Sequence, residues 1–236
     1  LIGQSLLVLL RTEQGLPAYN EWGTMVGVRP TKLLHKYIDQ YGSIEDATRH
    51  IRDEFSVSSE KLDVLSRVGR YQRPYLEAHS EKTVSLYCGI PFCETRCVYC
   101  SFPYGLYQDY HRQSEFISAL LRDITDVREL CESYNLRTNT LYMGGGTPTI
   151  LNNEDFHRVL TGLSTLIPEG CEFTVEAGRP DSITDLKIRS MQEHHVNRIS
   201  INPQTMDDII LRRIGRGHSA QDIDDMYQYV KKHTDF

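Results

Sequence analysis

Three cysteines lie within eight residues of one another, in the stretch YCGIPFCETRCVYCSF at positions 87–102. Cys93, Cys97 and Cys100 have the spacing C-x3-C-x2-C, which lets a loop fold three thiolates around one small centre. Thiolates are soft ligands that suit zinc, copper(I) and iron–sulfur clusters. A structural zinc ion takes four protein ligands. A four-iron cluster held by three cysteines instead keeps one iron open to a substrate, and the apolar run before this triplet favours the cluster.

The alternative is a zinc site that a fourth ligand completes, in a small metal-stabilised binding module. The candidates for that ligand are Cys88, His79, His111 and Cys131. A zinc module needs only the cysteines, so it leaves the glycine-rich motif and the strand-end glutamate described below unexplained.

Composition limits the class of protein. The chain has 236 residues and a net charge of −6, from 26 basic and 32 acidic residues. That balance argues against general nucleic-acid binding, which needs a basic footprint. No run approaches the roughly 18 apolar residues of a membrane span. The three cysteines outside the triplet lie in apolar segments as candidate core residues, which favours a reducing cytoplasm. The first residue is Leu1, so we expect a piece of a longer chain.

Residues 1–80 are predicted to be a helical packing module. Pro30 suits a first helical turn, Gly42 predicts a helix end, and Ser43 with Asp46 predicts the N-cap of the next helix. A third helix is expected to begin at Ser56 or Ser58 and to kink or stop at Pro74. Arg29 and Lys32 are exceptions to a packing role, because they lie at a helix start where anions can bind.

From residue 81 strands and helices alternate, which predicts βαβ units and a parallel sheet. The expected strands are Thr83–Ile90, Asn139–Met143, Glu172–Glu176 and Arg198–Asn202. Amphipathic helices are expected around 116–131, 156–163 and 186–191, and the end of the chain is predicted to be helical with a break near 215–218. Sites in parallel α/β folds form at the carboxyl ends of the strands.

Each of the four predicted strands delivers polar or glycine-rich residues to that same edge. The cysteine loop follows the first strand, GGGTPT (144–149) follows the second, Glu176 ends the third, and Asn202-Pro203-Gln204 ends the fourth. GGGTPT matches neither common phosphate-binding pattern. Its glycines are expected to let the backbone approach a ligand and to leave amide groups free for it. Arg179 and Arg216 are candidates to pair with ligand carboxylates.

Together these residues resemble the oxygen-independent coproporphyrinogen III oxidase family of radical S-adenosylmethionine (SAM) enzymes. VGVRPTK (26–32), TVEAGRP (174–180) and ISINPQ (199–204) are similar to its coproporphyrinogen-dehydrogenase-like branch. The resemblance implies a partial (β/α)6 barrel over 81–236, truncated before the fifth strand, and a [4Fe–4S] cluster on the three cysteines. It also implies a SAM site lined by Tyr87, Tyr99, Gly145, Gly146, Thr147, Glu176, Gln204 and Arg216.

The activity that the resemblance implies is reductive cleavage of SAM, with an electron donor such as flavodoxin or ferredoxin. The expected substrate is a tetrapyrrole, coproporphyrinogen III, whose propionates lose carbon dioxide to become vinyl groups. Two positions depart from the family's oxidases: Gly89 replaces a histidine, and Phe102 replaces a further cysteine. We therefore expect slow or absent decarboxylation with tetrapyrrole binding retained. Haem binding or delivery is the alternative function, and no side chain is assigned to catalysis.

Overall fold

The computed structural model describes residues 2–15, 20–77, 81–101 and 105–236. His79 and Phe102, which figured in the sequence predictions, lie outside these ranges. The chain divides into two compact units, Leu1–Ser80 and Glu81–Phe236.

The first unit is helical in its described part. Its helices are α1 (Ile2–Glu13), α2 (Pro30–Tyr41), α3 (Ile44–Phe55) and α4 (Ser59–Glu77). α2, α3 and α4 bury a common apolar core that includes Leu34, Ile51 and Leu65. α2 and α4 approach closely, because a Cβ on Gly69 would lie 2.4 Å from a methyl group of Leu34.

The predicted helix boundaries are largely confirmed. Pro30 occupies the first turn of α2, and Gly42 ends it in the left-handed conformation (φ 87°) with its N–H donating to the Ile38 carbonyl. The Ser43 side chain caps α3 by accepting from the Asp46 N–H. The expected stop at Pro74 is wrong, since α4 continues to Glu77. Proline removes one backbone hydrogen bond from a helix, and the packing of α4 against α2 and α3 offsets that loss.

The second unit alternates strands and helices. Its strands are β1 (Thr83–Ile90), β2 (Phe92–Cys93), β3 (Gly105–Leu106), β4 (Arg137–Gly145), β5 (Glu172–Glu176) and β6 (Arg198–Ser200). Its helices are α5 (Gln113–Tyr134), α6 (Asn153–Ser164), α7 (Asp185–Glu193), α8 (Asp208–Arg213) and α9 (Ala220–His233). Short 3-10 turns lie at Tyr107–Asp109, Pro148–Ile150 and Pro180–Ser182.

Four strands form one parallel sheet in the order β1-β4-β5-β6, and β2 pairs with β3 beside it. The register places Tyr87 opposite Tyr142 and Cys88 opposite Met143, so alternate residues of the strands share a face. Cys88, Met143 and neighbouring apolar residues belong to the core beneath the helices. Tyr87 and Tyr142 lie on the opposite face, and the α/β class with a parallel sheet is as predicted.

No helix in the described ranges is long and apolar enough to cross a membrane.

Candidate functional site

The GGGTPT segment (144–149), called the glycine loop below, packs directly against the end of β1. A Cβ on Gly145 would lie 2.8 Å from the Ile90 carbonyl oxygen, and one on Gly146 would lie 2.4 Å from that of Phe92. Gly145 also has a φ of 112°, which favours glycine. The glycines are therefore required for a close approach between two backbone segments.

In that contact, backbone N–H groups that we expected to be free for a ligand donate hydrogen bonds within the protein. The N–H of Gly146 donates to the Ile90 carbonyl (2.8 Å), and the N–H of Thr147 donates to that of Phe92 (2.7 Å). The prediction of free amides is thus wrong at these two positions. Backbone groups in a packed turn are satisfied within the protein wherever a partner lies in reach.

Glu176 is the acidic centre of this edge of the sheet. Its carboxylate accepts from the Tyr142 hydroxyl (2.6 Å) and from the Gly145 N–H (3.1 Å). Burial and the hydrogen bond to Glu176 raise the pKa of Tyr142 to about 12, because both disfavour a second negative charge there. The Glu176 side chain is half-buried, so its hydrogen-bonded carboxylate remains available to a cationic group or a hydroxyl.

Tyr142 is a residue that our reading of the sequence missed. It lies on β4 two residues before Gly144, and strand alternation puts it on the same face as Gly144. A tyrosine alternating with the glycines of the motif was the available signal.

The cysteine loop and the glycine loop are in contact. Cys93 lies on β2, and its Sγ accepts from the Thr147 hydroxyl at 3.5 Å. A Cβ on Gly146 would approach the same sulfur to 3.0 Å. Cys97 and Cys100 follow in a turn closed by the Cys100 N–H and the Cys97 carbonyl (3.0 Å), and all three cysteines are half-buried and unpaired.

A distant segment holds the other side of the cysteine loop. The Thr95 hydroxyl donates to the Gly215 carbonyl (2.7 Å), and the Val98 N–H donates to the Ile214 carbonyl (3.2 Å). One Nη of Arg179 donates to both Thr95 Oγ1 (2.6 Å) and the Gly215 carbonyl (3.3 Å). Arg179 is only 2% exposed. It therefore braces the loop from inside, rather than meeting a ligand carboxylate as the sequence suggested.

The three cysteine sulfurs are spread more widely than the ligands of one zinc ion. Among the described residues, one group of three possible metal ligands has all its donor atoms within 4.8 Å of one another: His157, Glu193 and His194. The three cysteines do not form such a group. Zinc–sulfur bonds of about 2.3 Å put thiolates less than about 4 Å apart, so one zinc ion needs a tighter set. Cys88 belongs to the apolar core rather than to the cysteine loop, and burial raises the pKa of its thiol to about 12.

The remaining predicted residues are only partly brought together. Tyr87 is 64% exposed and stacks on Tyr142, with ring centroids 5.8 Å apart. Arg216 donates to the Gly178 carbonyl (3.0 Å) and, at 3.5 Å, to the hydroxyl of Tyr99, so it links β5's end to the cysteine loop. Gln204 lies just beyond β6, is exposed, and has a left-handed backbone (φ 63°).

The strand ends of this parallel α/β sheet carry a three-cysteine loop, a glycine loop and a hydrogen-bonded glutamate. That combination defines a class of cofactor-dependent enzymes. The sequence profile of the Radical SAM superfamily matches residues 87–235, and the chain belongs to that superfamily. Within that superfamily, the chain is similar to the following proteins.

The chain is 34% identical over 233 residues to the oxygen-independent coproporphyrinogen-III oxidase-like protein HemZ of Bacillus subtilis, covering 96% of this chain and 46% of that protein. It is 34% identical over 154 residues to the heme chaperone HemW of Lactococcus lactis, covering 64% of this chain and 38% of that one. Among solved structures, coproporphyrinogen III oxidase (HemN) from Escherichia coli has a similar fold. The TM-score is 0.57 at 23% identity, over 68% of this chain and 37% of that chain.

The chain thus spans less than half the length of these relatives. Enzymes of the radical SAM superfamily use a [4Fe–4S] cluster and SAM, and these are the cofactors of this chain. The donor set fits them, because three half-buried thiols lie within eight residues, Cys93 contacts the glycine loop, and the half-buried Glu176 carboxylate accepts from the same loop.

Proposed function

We propose that Cys93, Cys97 and Cys100 hold the [4Fe–4S] cluster and that the glycine loop, Glu176 and their neighbours hold SAM beside it. The observation that carries this proposal is the contact chain from Glu176 through Gly145 to Thr147 and the Cys93 sulfur. It joins the cysteine loop and the carboxylate through three consecutive residues of one loop. The other positions assigned to SAM are Tyr87, Tyr99, Gly146, Gln204 and Arg216.

When bound to the three cysteines, the cluster would supply the single electron that reductive cleavage of SAM requires. The role of the chain's own residues is to orient the bound cofactors and to protect them. Thr147 donates a hydrogen bond to the Cys93 sulfur, which stabilises the charge of a thiolate ligand. Glu176, fixed by Tyr142 and Gly145, presents a preorganised acceptor to ligand N–H or O–H groups. An electron donor of the flavodoxin or ferredoxin kind supplies the electron in a reducing cytoplasm.

For the substrate we propose a tetrapyrrole of haem metabolism. The relatives named above are called a coproporphyrinogen-III oxidase-like protein and a heme chaperone, so their names support tetrapyrrole chemistry in general. Oxidative decarboxylation of coproporphyrinogen III propionates is the first candidate activity. Gly89 lies on β1 two residues after Tyr87 and has no side chain that could transfer a proton, so we expect this reaction to be slow or absent.

Haem binding or delivery without decarboxylation is the second candidate. The same observation favours it, since the loss of a proton-transferring side chain at Gly89 affects catalysis and leaves a tetrapyrrole-binding surface intact.

The test is anaerobic reconstitution followed by an assay with SAM, dithionite and coproporphyrinogen III. Iron, sulfide, 5′-deoxyadenosine and vinyl product are measured on the same sample. We expect about four irons and four sulfides per chain, 5′-deoxyadenosine, and little vinyl product. Glu176→Ala should weaken SAM binding at least tenfold and keep the cluster.

The matched control for that variant is Glu172→Ala. Glu172 lies at the opposite end of the same strand, where it pairs with Arg198 on the surface, and its loss should leave SAM binding unchanged. Equal effects of the two variants would contradict the assignment of Glu176. Fast, stoichiometric vinyl formation would show that Gly89 does not impair decarboxylation.

A further inference from the structure

The VGVRPTK motif is left unexplained by the cofactor site, since it belongs to the helical unit. It forms the turn before α2 and the first turn of α2 itself. Beside it, α2 and α4 enclose a groove of about 1040 Å³. That volume reaches the upper end of the range for small-molecule sites. The residues that line it are Val28, Arg29, Thr31, Lys32, Leu33, His35, Lys36, Asp39, Tyr71, Gln72, Tyr75 and Leu76.

One wall of the groove carries three cations. Lys32 and Lys36 lie one turn apart on α2, Arg29 is the residue just before the helix, and all three line the groove. In the described part of the chain, no carboxylate forms an ion pair with any of the three. Asp39, the acidic residue of the lining, is engaged by Arg73 at 2.6 Å. The wall therefore carries positive charge that the described residues do not neutralise.

The charge is local to this wall. Residues 1–80 contain ten Lys and Arg and ten Asp and Glu, so the helical unit is neutral as a whole. A neutral unit does not offer the extended basic surface that a nucleic acid requires. The cations are concentrated where a small anionic ligand could meet all three.

The α4 side of the groove carries exposed aromatic and aliphatic side chains. Tyr71 and Tyr75 lie one turn apart on α4, with ring centroids 5.7 Å apart and an angle of 46° between the rings. They are 72% and 62% exposed, and Leu76 and Val28 beside them are also exposed. Exposed aromatic and aliphatic side chains that border a cavity are typical of a surface that binds a partner or a ligand.

We infer that this groove binds a tetrapyrrole through its carboxylates and one face of its ring system. The apolar face of a tetrapyrrole suits the exposed rings of Tyr71 and Tyr75, and its carboxylate side chains suit Arg29, Lys32 and Lys36, since guanidinium and ammonium groups bind carboxylates by charge-assisted hydrogen bonds. The ligand class rests on the proposed function, whereas the location is independent of the cofactor site. The groove is lined only by residues of the helical unit.

The test is a fluorescence titration of the full chain with coproporphyrin III, which has four carboxylates and no metal, and an absorbance titration with ferric haem. We expect saturable binding that weakens as salt is raised, because exposed charges are screened. Replacing Arg29, Lys32 and Lys36 together by Gln should weaken coproporphyrin III binding at least tenfold. Replacing Tyr71 and Tyr75 together by Ala should weaken both probes.

The matched control replaces Arg49, Arg52 and Arg67 by Gln, which removes three exposed cations of the same unit that do not line the groove. Binding equal in the two triple variants would overturn the groove assignment. Circular dichroism of each variant shows that it remains folded. SAM cleavage is measured in parallel. Intact cleavage without any tetrapyrrole binding would refute this inference and leave the cofactor assignment standing, whereas loss of SAM cleavage in the unmodified chain would count against the proposed function itself.

Discussion

The glycine loop and the cysteine loop meet at the Cys93 sulfur, yet the protein holds them by different kinds of contact. The glycine loop is fixed by neighbouring strands, through the Ile90 and Phe92 carbonyls and through Glu176. The cysteine loop is braced by residues far away in the sequence: Thr95 meets Gly215, 120 positions later. In the folded structure the first loop is therefore held by the sheet, whereas the second is held by a segment far away in the sequence.

The difference predicts different sensitivities to substitution. Changes in the glycine loop are steric and disturb two backbone segments at once. Changes in the braces of the cysteine loop remove hydrogen bonds and leave the sheet intact. The effects below run from the largest to the smallest.

The largest effect is expected from the cysteines themselves. Replacing Cys93, Cys97 or Cys100 by Ala should reduce the bound iron and sulfide of the reconstituted protein to background, because three thiolates are needed to hold a four-iron cluster on one loop. The visible absorbance and the paramagnetic resonance spectrum of the reduced protein measure this. Cys131→Ala and Cys171→Ala are the controls, since neither residue lies in the loop. Stoichiometric zinc in place of iron in the unmodified protein would refute the cluster.

The second effect comes from the tight backbone contact. Gly146→Ala should destabilise the second unit by about 2–3 kcal/mol and lower cluster occupancy, because the new methyl group would lie 2.4 Å from the Phe92 carbonyl and 3.0 Å from the Cys93 sulfur. Urea unfolding and iron analysis measure the two consequences. Gly105→Ala is the control, since a Cβ there meets no atom of the described residues within 4 Å. A Gly146 variant as stable and as iron-rich as the control would show that the loop can move aside.

The third effect concerns the brace. Arg179→Ala should loosen the cysteine loop and speed loss of iron to a chelator about tenfold, while the unfolding midpoint of the sheet changes less than in the Gly146 variant. Buried charged hydrogen bonds contribute roughly 1.5–3 kcal/mol. Arg179→Lys should restore part of the slow release, because an ammonium group can still reach one of the two acceptors. Arg198→Ala, which removes a surface arginine paired with Glu172, should have no effect. Release rates that are the same in all four proteins would contradict the bracing role.

The sequence predicted one loop better than the other, for the same physical reason. Strand alternation and the GGGTPT motif locate the glycine loop and Glu176, because these depend on local backbone preference and on the order of strands. The inward role of Arg179 and the contact of Thr95 with Gly215 depend on how distant segments pack. No local pattern contains that information, so Arg179 looked like a ligand for a carboxylate.

Helix ends show the same division. The helix end at Gly42 and the helix start at Ser43 could be predicted, because a left-handed residue and a capping hydroxyl act within a few positions. The continuation of α4 through Pro74 could not be predicted, since tertiary packing overrides an unfavourable residue.

The smallest effect concerns a buried lysine that ties the end of the glycine loop to the segment after β5. Lys187 is 6% exposed and donates to the Thr149 carbonyl (2.6 Å) and the Ser182 carbonyl (2.9 Å). Burial lowers its pKa from 10.5 to about 8. Between those values the unfolded chain binds the proton that the folded chain has lost, so raising the pH through this window stabilises the folded state.

From pH 7.5 to 9.5 the free energy of unfolding should therefore gain about 2 kcal/mol from Lys187, at roughly 1.4 kcal/mol per pH unit above its folded pKa. Urea unfolding of the unmodified protein and of Lys187→Met at both pH values measures it. The variant lacks the titrating group, so the difference between the two proteins should change by that amount and in that direction. Tyr142 and Cys88, whose pKa values burial raises from 10.0 and 9.0 to about 12, act in the opposite sense as the unfolded chain ionises, but they are present in both proteins and cancel in that difference. If the stabilities of the two proteins run parallel over this range, Lys187 keeps its ordinary pKa, and its bonds to the two carbonyls offset the cost of burying its charge.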